Sequence, residues 1–116
     1  MSLVAADVVI DCADHGPVVA FWSAALGREA RRVDEQYVSL PTAAGEPGLS
    51  LLFQKVPEPK VVKNRVHIDF RCEDRASEVA RLVALGATVL AERCLGDFCW
   101  TVLQDPVGNE FCVNAG

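Results

Sequence analysis

Polar and apolar positions alternate along residues 7–12, with Val8, Ile10 and Cys12 on one side and Asp7, Val9 and Asp11 on the other, the period of a half-buried strand. The period then changes. Val18, Phe21, Trp22, Ala25 and Leu26 recur at i, i+3, i+4, i+7 and i+8, the stripe of an amphipathic helix. Asp14 suits the N-cap of that helix, Pro17 its first turn, and Gly27 a left-handed terminator. The same series returns later in the chain. Val66, Ile68, Phe70 and Cys72 share a strand face, Asp74 can cap, Ala76, Val79, Ala80 and Val83 form the helical stripe, and Gly86 closes it.

The two series are an internal repeat. The Ile-Asp pairs at 10–11 and 68–69 are 58 residues apart, and the Ala-Leu-Gly triplets at 25–27 and 84–86 are 59 apart, half of the 116-residue chain. Three further strands are expected after each helix, at about 29–33, 36–41 and 49–55, and at about 87–93, 97–103 and 110–114. Asp34-Glu35, Pro41 to Gly48, Leu95-Gly96-Asp97 and Asp105 to Gly108 mark the turns between them. The predicted order is therefore β-α-β-β-β twice, an α+β chain with its helices on one face of curved sheets. It reads as a single domain, with module one at about 4–56, a linker at about 57–64 and module two at about 65–116. The linker carries Pro57 and Pro59 with Lys60 and Lys63, is followed directly by Arg65, and reads as solvated.

Composition removes several classes of function. With 51% apolar and 23% charged residues the chain has enough apolar content for a packed core. A net charge of −5 and no dense Lys/Arg run argue against nucleic-acid binding. No apolar run approaches the length of a membrane helix, and Asp7 and Asp11 interrupt the N-terminal region, so neither a membrane protein nor a signal peptide is expected. The five cysteines, at 12, 72, 94, 99 and 112, are odd in number and lack a C-x-x-C spacing; reduced, buried thiols in a cytoplasmic protein are expected.

The duplication, together with FWSAALG (21–27), KNRVHIDF (63–70) and the run WTVLQDPVGNEFCV (100–113), resembles the vicinal oxygen chelate superfamily of glyoxalase I, bleomycin-resistance proteins and extradiol dioxygenases. DPVGNEFCV is similar to that family's closing Asp-Pro-x-Gly-Asn turn, and LFQKVPEPK (52–60) ahead of KNRVHIDF is similar to its glyoxalase-like branch. The resemblance covers essentially the whole chain. It implies two βαβββ modules whose sheets curl around an open-sided cleft, with the helices outside. It also implies a homodimer.

The resemblance further implies a divalent metal with up to four ligands, His or Glu, on the first and last strands of the two modules. On the second module the first-strand position falls on His67. On the first module it falls on Asp7 when counted back from Asp14, or on Val9 when matched through the Ile-Asp repeat. The last-strand position of the second module is Cys112, and its first-module counterpart lies among Leu51, Leu52 and Phe53. A metal (Zn, Mn, Fe or Ni) would thus draw on His67, Asp7 and Cys112, a set favouring zinc. Only one of the four positions keeps an ordinary ligand, so the reading leans against a bound catalytic metal, with Cys112 as a buried core thiol.

Other residues face the expected cleft by strand parity. Asp11, His67, Asp69 and Arg71 point away from the helices and either brace one another or orient a polar small molecule, with His67 able to carry a proton near neutral pH. Glu110 shares the face of Cys112, as a cleft carboxylate or a solvated strand residue. Phe98 and Trp100 alternate on the seventh strand and would give a ligand an apolar wall; Gln54 is a further polar contact. Lys60, Lys63 and Arg65 either meet an anionic substrate or remain solvated. Asp105, Pro106, Gly108 and Asn109 are turn residues. Two functions follow from the resemblance. One is an enzyme of lyase, isomerase or dioxygenase type acting on a small oxygen-rich metabolite through a degenerate metal site centred on His67. The other is a metal-free binder of bleomycin-resistance type sequestering an amphipathic compound, for which the acidic balance suits a cation.

Overall fold

The computed structural model describes residues 2–116. The chain divides between Pro59 and Lys60 into two compact units. The first contains β1 (Asp7–Cys12), α1 (His15–Leu26), β2 (Arg31–Arg32), β3 (Tyr37–Leu40) and β4 (Ser50–Lys55). The second contains β5 (Asp69–Arg71), α2 (Arg75–Leu85), β6 (Thr88–Leu95), β7 (Phe98–Gln104) and β8 (Glu110–Asn114). Each unit is a βαβββ module with one four-stranded mixed sheet, in the order β1-β4-β3-β2 and β5-β8-β7-β6. The expected linker is split by this division, and residues 60–64 are part of the second unit.

Local chemistry sets the helix ends. The Asp14 carboxylate accepts from the Gly16 amide and the Asp74 carboxylate from the Ser77 amide, satisfying donors that a first helical turn leaves open. Gly27 ends α1 at φ 63° and Gly86 ends α2 at φ 123°, backbone that favours glycine. In the first unit Val18, Phe21 and Trp22 of α1 are buried together with Val38, Leu40, Leu51 and Phe53 of the sheet. In the second unit Leu82 is buried together with Leu103, Phe111 and Val113.

Three sequence expectations change. The fifth strand is only three residues long, whereas the alternation from Val66 to Cys72 suggested a longer one. Its ladder ends where the Cys112 amide donates to the Ile68 carbonyl at 3.0 Å; one step on, the Glu110 carbonyl accepts from the Asn64 side chain at 3.1 Å. The second strand shrinks to two residues, both exposed. The third change concerns thiols: Cys94 and Cys99 are disulfide-bonded, while Cys12, Cys72 and Cys112 are free. The β6–β7 register places Cys94 directly opposite Cys99, with Cα atoms 4.1 Å apart, a juxtaposition invisible to a search for C-x-x-C. Because the bridge closes a short loop, a reductant is expected to lower the stability of the second unit by about 2 kcal/mol, less than for a long loop. Urea unfolding with and without dithiothreitol measures this, and an unchanged midpoint would contradict it.

Candidate functional site in the second unit

β7 and β8 sort their side chains to two faces. Thr101, Leu103, Phe111 and Val113 are buried on the helix side, while Trp100, Val102, Gln104, Glu110 and Cys112 line a cavity of about 690 Å³ on the other. β6 contributes through a bulge. The pairing runs Val89 with Leu103 and then Ala91 with Val102, so Leu90 is an inserted residue and the face presented by the strand changes there. Leu90, Ala91 and Arg93 consequently reach the cavity, whereas the Glu92 carboxylate accepts from Thr101 Oγ1 at 2.9 Å and pairs with Arg75.

The remaining wall is the segment read from sequence as a solvated linker. Lys60, Val61, Val62 and Lys63 line the cavity, held there by Glu110. The Glu110 carboxylate accepts from Lys60 Nζ at 3.1 Å and from the Asn64 amide at 2.6 Å. Its side chain is 8% exposed, so Glu110 is a structural anchor and not a solvated strand residue. Burial pushes its carboxyl group up, but the Asn64 amide and the Lys60 ammonium outweigh burial and hold it below the usual carboxylate range.

His67, Asp69 and Cys112 converge, each offering a ligand-type atom within 4.8 Å of the others. His67 Nε2 lies 3.2 Å from Asp69 Oδ1. The parallel β5–β8 register sets Asp69 beside Cys112, and both His67 and Cys112 line the cavity. Burial pushes the Cys112 thiol up; the Asp69 carboxylate raises it further by its charge and by accepting from Sγ, while Lys63 opposes them. At neutral pH this side chain is therefore a thiol unless a cation displaces its proton.

Asp69 thus joins His67 and Cys112. Asp7 and Asp11 lie on β1 in the first unit, both exposed, and belong to no three-residue ligand cluster among the described residues. The register also corrects the first-module counterpart of Cys112. Asp11 pairs with Gln54 in the first unit as Asp69 pairs with Cys112 in the second, so the counterpart is Gln54, one position beyond the expected trio Leu51, Leu52 and Phe53. By the same spacing Val9, not Asp7, stands where His67 stands. Arg71 and Arg65 are exposed and do not line the cavity. Phe98, 45% exposed, also lies outside its lining, but its ring is 5.7 Å from that of Trp100, which does line it. Strand parity is enough to put Trp100 on the face of β7 that lines the cavity. It missed Leu90, because a bulge breaks parity, and it missed the wall formed by residues 60–63, because that contact joins positions far apart in the chain.

A family model for the glyoxalase-like domain matches residues 7–114. The chain belongs to the glyoxalase-like domain family. Solved structures carry the same fold across nearly the whole chain. A variant of the fosfomycin resistance protein FosX from Listeria monocytogenes, in complex with Mn(II) and 1S,2S-dihydroxypropylphosphonic acid, is 19% identical with a TM-score of 0.79, covering 100% of this chain and 91% of that one. A glyoxalase/bleomycin resistance protein/dioxygenase family enzyme from Burkholderia phytofirmans is 21% identical with a TM-score of 0.74, covering 95% and 96%. Lactoylglutathione lyase from Agrobacterium tumefaciens is 18% identical with a TM-score of 0.69, covering 100% and 95%. At these identities the likeness is one of fold. Among curated proteins none matches the sequence. No helix among the described residues is long and apolar enough to cross a membrane.

The glyoxalase-like fold implies a divalent metal, and the donor set of the second unit can be tested against it. An imidazole, a carboxylate and a thiol within 4.8 Å fit a thiophilic ion such as zinc, which accepts Cys, His and Asp in tetrahedral sites. They do not suit manganese, which favours oxygen ligands.

Proposed function

We propose that this glyoxalase-like chain takes a small, oxygen-rich molecule into the cavity of its second unit and acts on it through His67. The observation that carries the reading is the His67–Asp69 contact of 3.2 Å at the edge of a cavity lined by both polar and apolar side chains. A carboxylate beside one ring nitrogen orients the imidazole and leaves the other nitrogen to exchange a proton with a bound hydroxyl or carbonyl. Trp100, Val102, Leu90 and Val62 exclude water from the apolar part of the ligand. A thiophilic ion, when bound, would be held by His67, Asp69 and Cys112 and would supply polarisation of a ligand oxygen. His67 would then serve as a ligand to the ion, a role that excludes its use as a base.

Cobalt(II) separates these roles. Metal-stripped protein is expected to take up one equivalent and to gain thiolate-to-cobalt charge-transfer absorption, which Cys112→Ser abolishes and Asp69→Asn weakens. Protein that binds neither cobalt nor zinc would overturn the metal-dependent form. The apolar wall would then favour the second reading, sequestration of an amphipathic compound without chemistry.

A further inference from the structure

We propose that the molecule bound in the second-unit cavity is an amphipathic anion, its acid group met by Lys63 and Arg93 and its apolar body set against Trp100. The inference rests on the reading of this cavity as the ligand site and adds the sign of the ligand's charge. It reverses the expectation from net charge. The chain is acidic, with 16 Asp and Glu against 11 Lys and Arg. The cavity, however, is lined by Lys60, Lys63, Arg93 and His67, with Glu110 as its one acidic residue. The balance that a ligand meets is local, because screening in salt removes the influence of charges more than about 10 Å away.

Which of these charges are available follows from their partners. Glu110 is held by Lys60 and by the Asn64 amide, so that carboxylate and that ammonium largely cancel. The exposed Asp69 carboxylate beside the site is engaged by His67. Lys63 and Arg93 make no ion pair with any carboxylate among the described residues. Arg93 sits directly across the β6–β7 ladder from Trp100, so a cation and an aromatic ring enter the cavity side by side. Lys63 is carried on the strap anchored by Glu110 and lies near enough to Cys112 for its charge to act on the thiol. Two cations beside an apolar wall favour a molecule with a carboxylate, phosphonate or phosphate at one end and a hydrophobic body at the other, and they repel a cation.

Three naphthalene probes of matched shape test the charge: 2-naphthylacetate, 2-naphthylacetamide and 2-naphthylmethylammonium, titrated by calorimetry. The acetate is expected to bind about tenfold tighter than the acetamide and the ammonium to bind weakest. In the doubly substituted Lys63→Gln, Arg93→Gln protein, whose altered side chains are both exposed, the acetate should lose this advantage while the acetamide keeps its affinity. Loss of the acetate advantage at high salt in the unaltered protein would be a second supporting result. Acetamide or ammonium binding as tightly as acetate, with an affinity that falls on Trp100→Leu, overturns the anion inference and leaves the cavity as the ligand site. If none of the three binds, the anion inference and the cavity reading fall together.

Discussion

Glu110→Ala is expected to destabilise the second unit by about 3 kcal/mol and to abolish binding in its cavity, because its carboxylate makes two of the three bonds that tie the 60–64 wall to β8, and only the one from the Asn64 side chain to the Glu110 carbonyl survives. The substitution removes two charge-assisted bonds and leaves the Asn64 amide and the Lys60 ammonium facing a space that alanine cannot fill. The ammonium end is a quarter exposed, so water recovers part of the loss and the figure stays near the lower end for a broken buried pair. Urea unfolding gives the stability, and amide exchange at residues 60–64 reports release of the wall. Glu110→Gln keeps the volume and one acceptor, and should fall between the two proteins. A loss below about 0.5 kcal/mol with unchanged exchange would show that the wall is held by other contacts.

The same anchor makes an acid-labile contribution whose sign is determined. Its folded-state pKa lies below the ordinary carboxylate range, so the stabilisation is complete above that range and fades as pH falls through the lowered folded value. Neutral and mildly acidic solutions should leave the wall closed. Opening is expected only at more acidic pH than an ordinary glutamate would require, and the Glu110→Gln protein should lack this component.

Phe53→Ala is expected to cost about 3–5 kcal/mol in the first unit, a large part of the stability of a domain this size. Phe53 is 0% exposed and lies in β4, the strand that pairs with both β1 and β3, opposite Ile10 on one side and Val38 on the other. Removing its ring takes away apolar burial and leaves a hole lined by rigid neighbours, which relax only in part. Denaturant unfolding together with exchange of the β3 and β4 amides measures the effect. A cost under about 1 kcal/mol would mean that the sheet collapses around the gap. Leucine at the same position should recover much of the loss.

The repeat explains why so much of the architecture was legible. Alternation, helical stripes and caps are local signals, and each occurs twice at one spacing, so Asp14 and Asp74, or Gly27 and Gly86, support the same assignment. The site was less legible. His67, Cys112, Trp100 and Glu110 were recognised as candidates because strand parity and the family resemblance are both short-range comparisons. Their surroundings were not, since the Glu110 anchor, the approach of Asp69 to His67 and Cys112, and the match of Gln54 to Cys112 all depend on pairing between strands. The Cys94–Cys99 bridge belongs with them, having no signal apart from hairpin register.

By itself the amino-acid sequence determined that this protein is a duplicated βαβββ chain with an imidazole on its fifth strand region, because periodicity and capping act within a few residues; its motifs added the glyoxalase-like resemblance. Tertiary structure alone decided what surrounds that imidazole. Register brings Asp69 and Cys112 to it, a bulge turns Leu90 inward, and a buried carboxylate draws a basic segment over the cavity, so on an acidic chain the cavity is lined by more basic than acidic side chains. Such contacts join residues distant in sequence, and their electrostatics depend on which charges are already paired, which only the folded chain specifies.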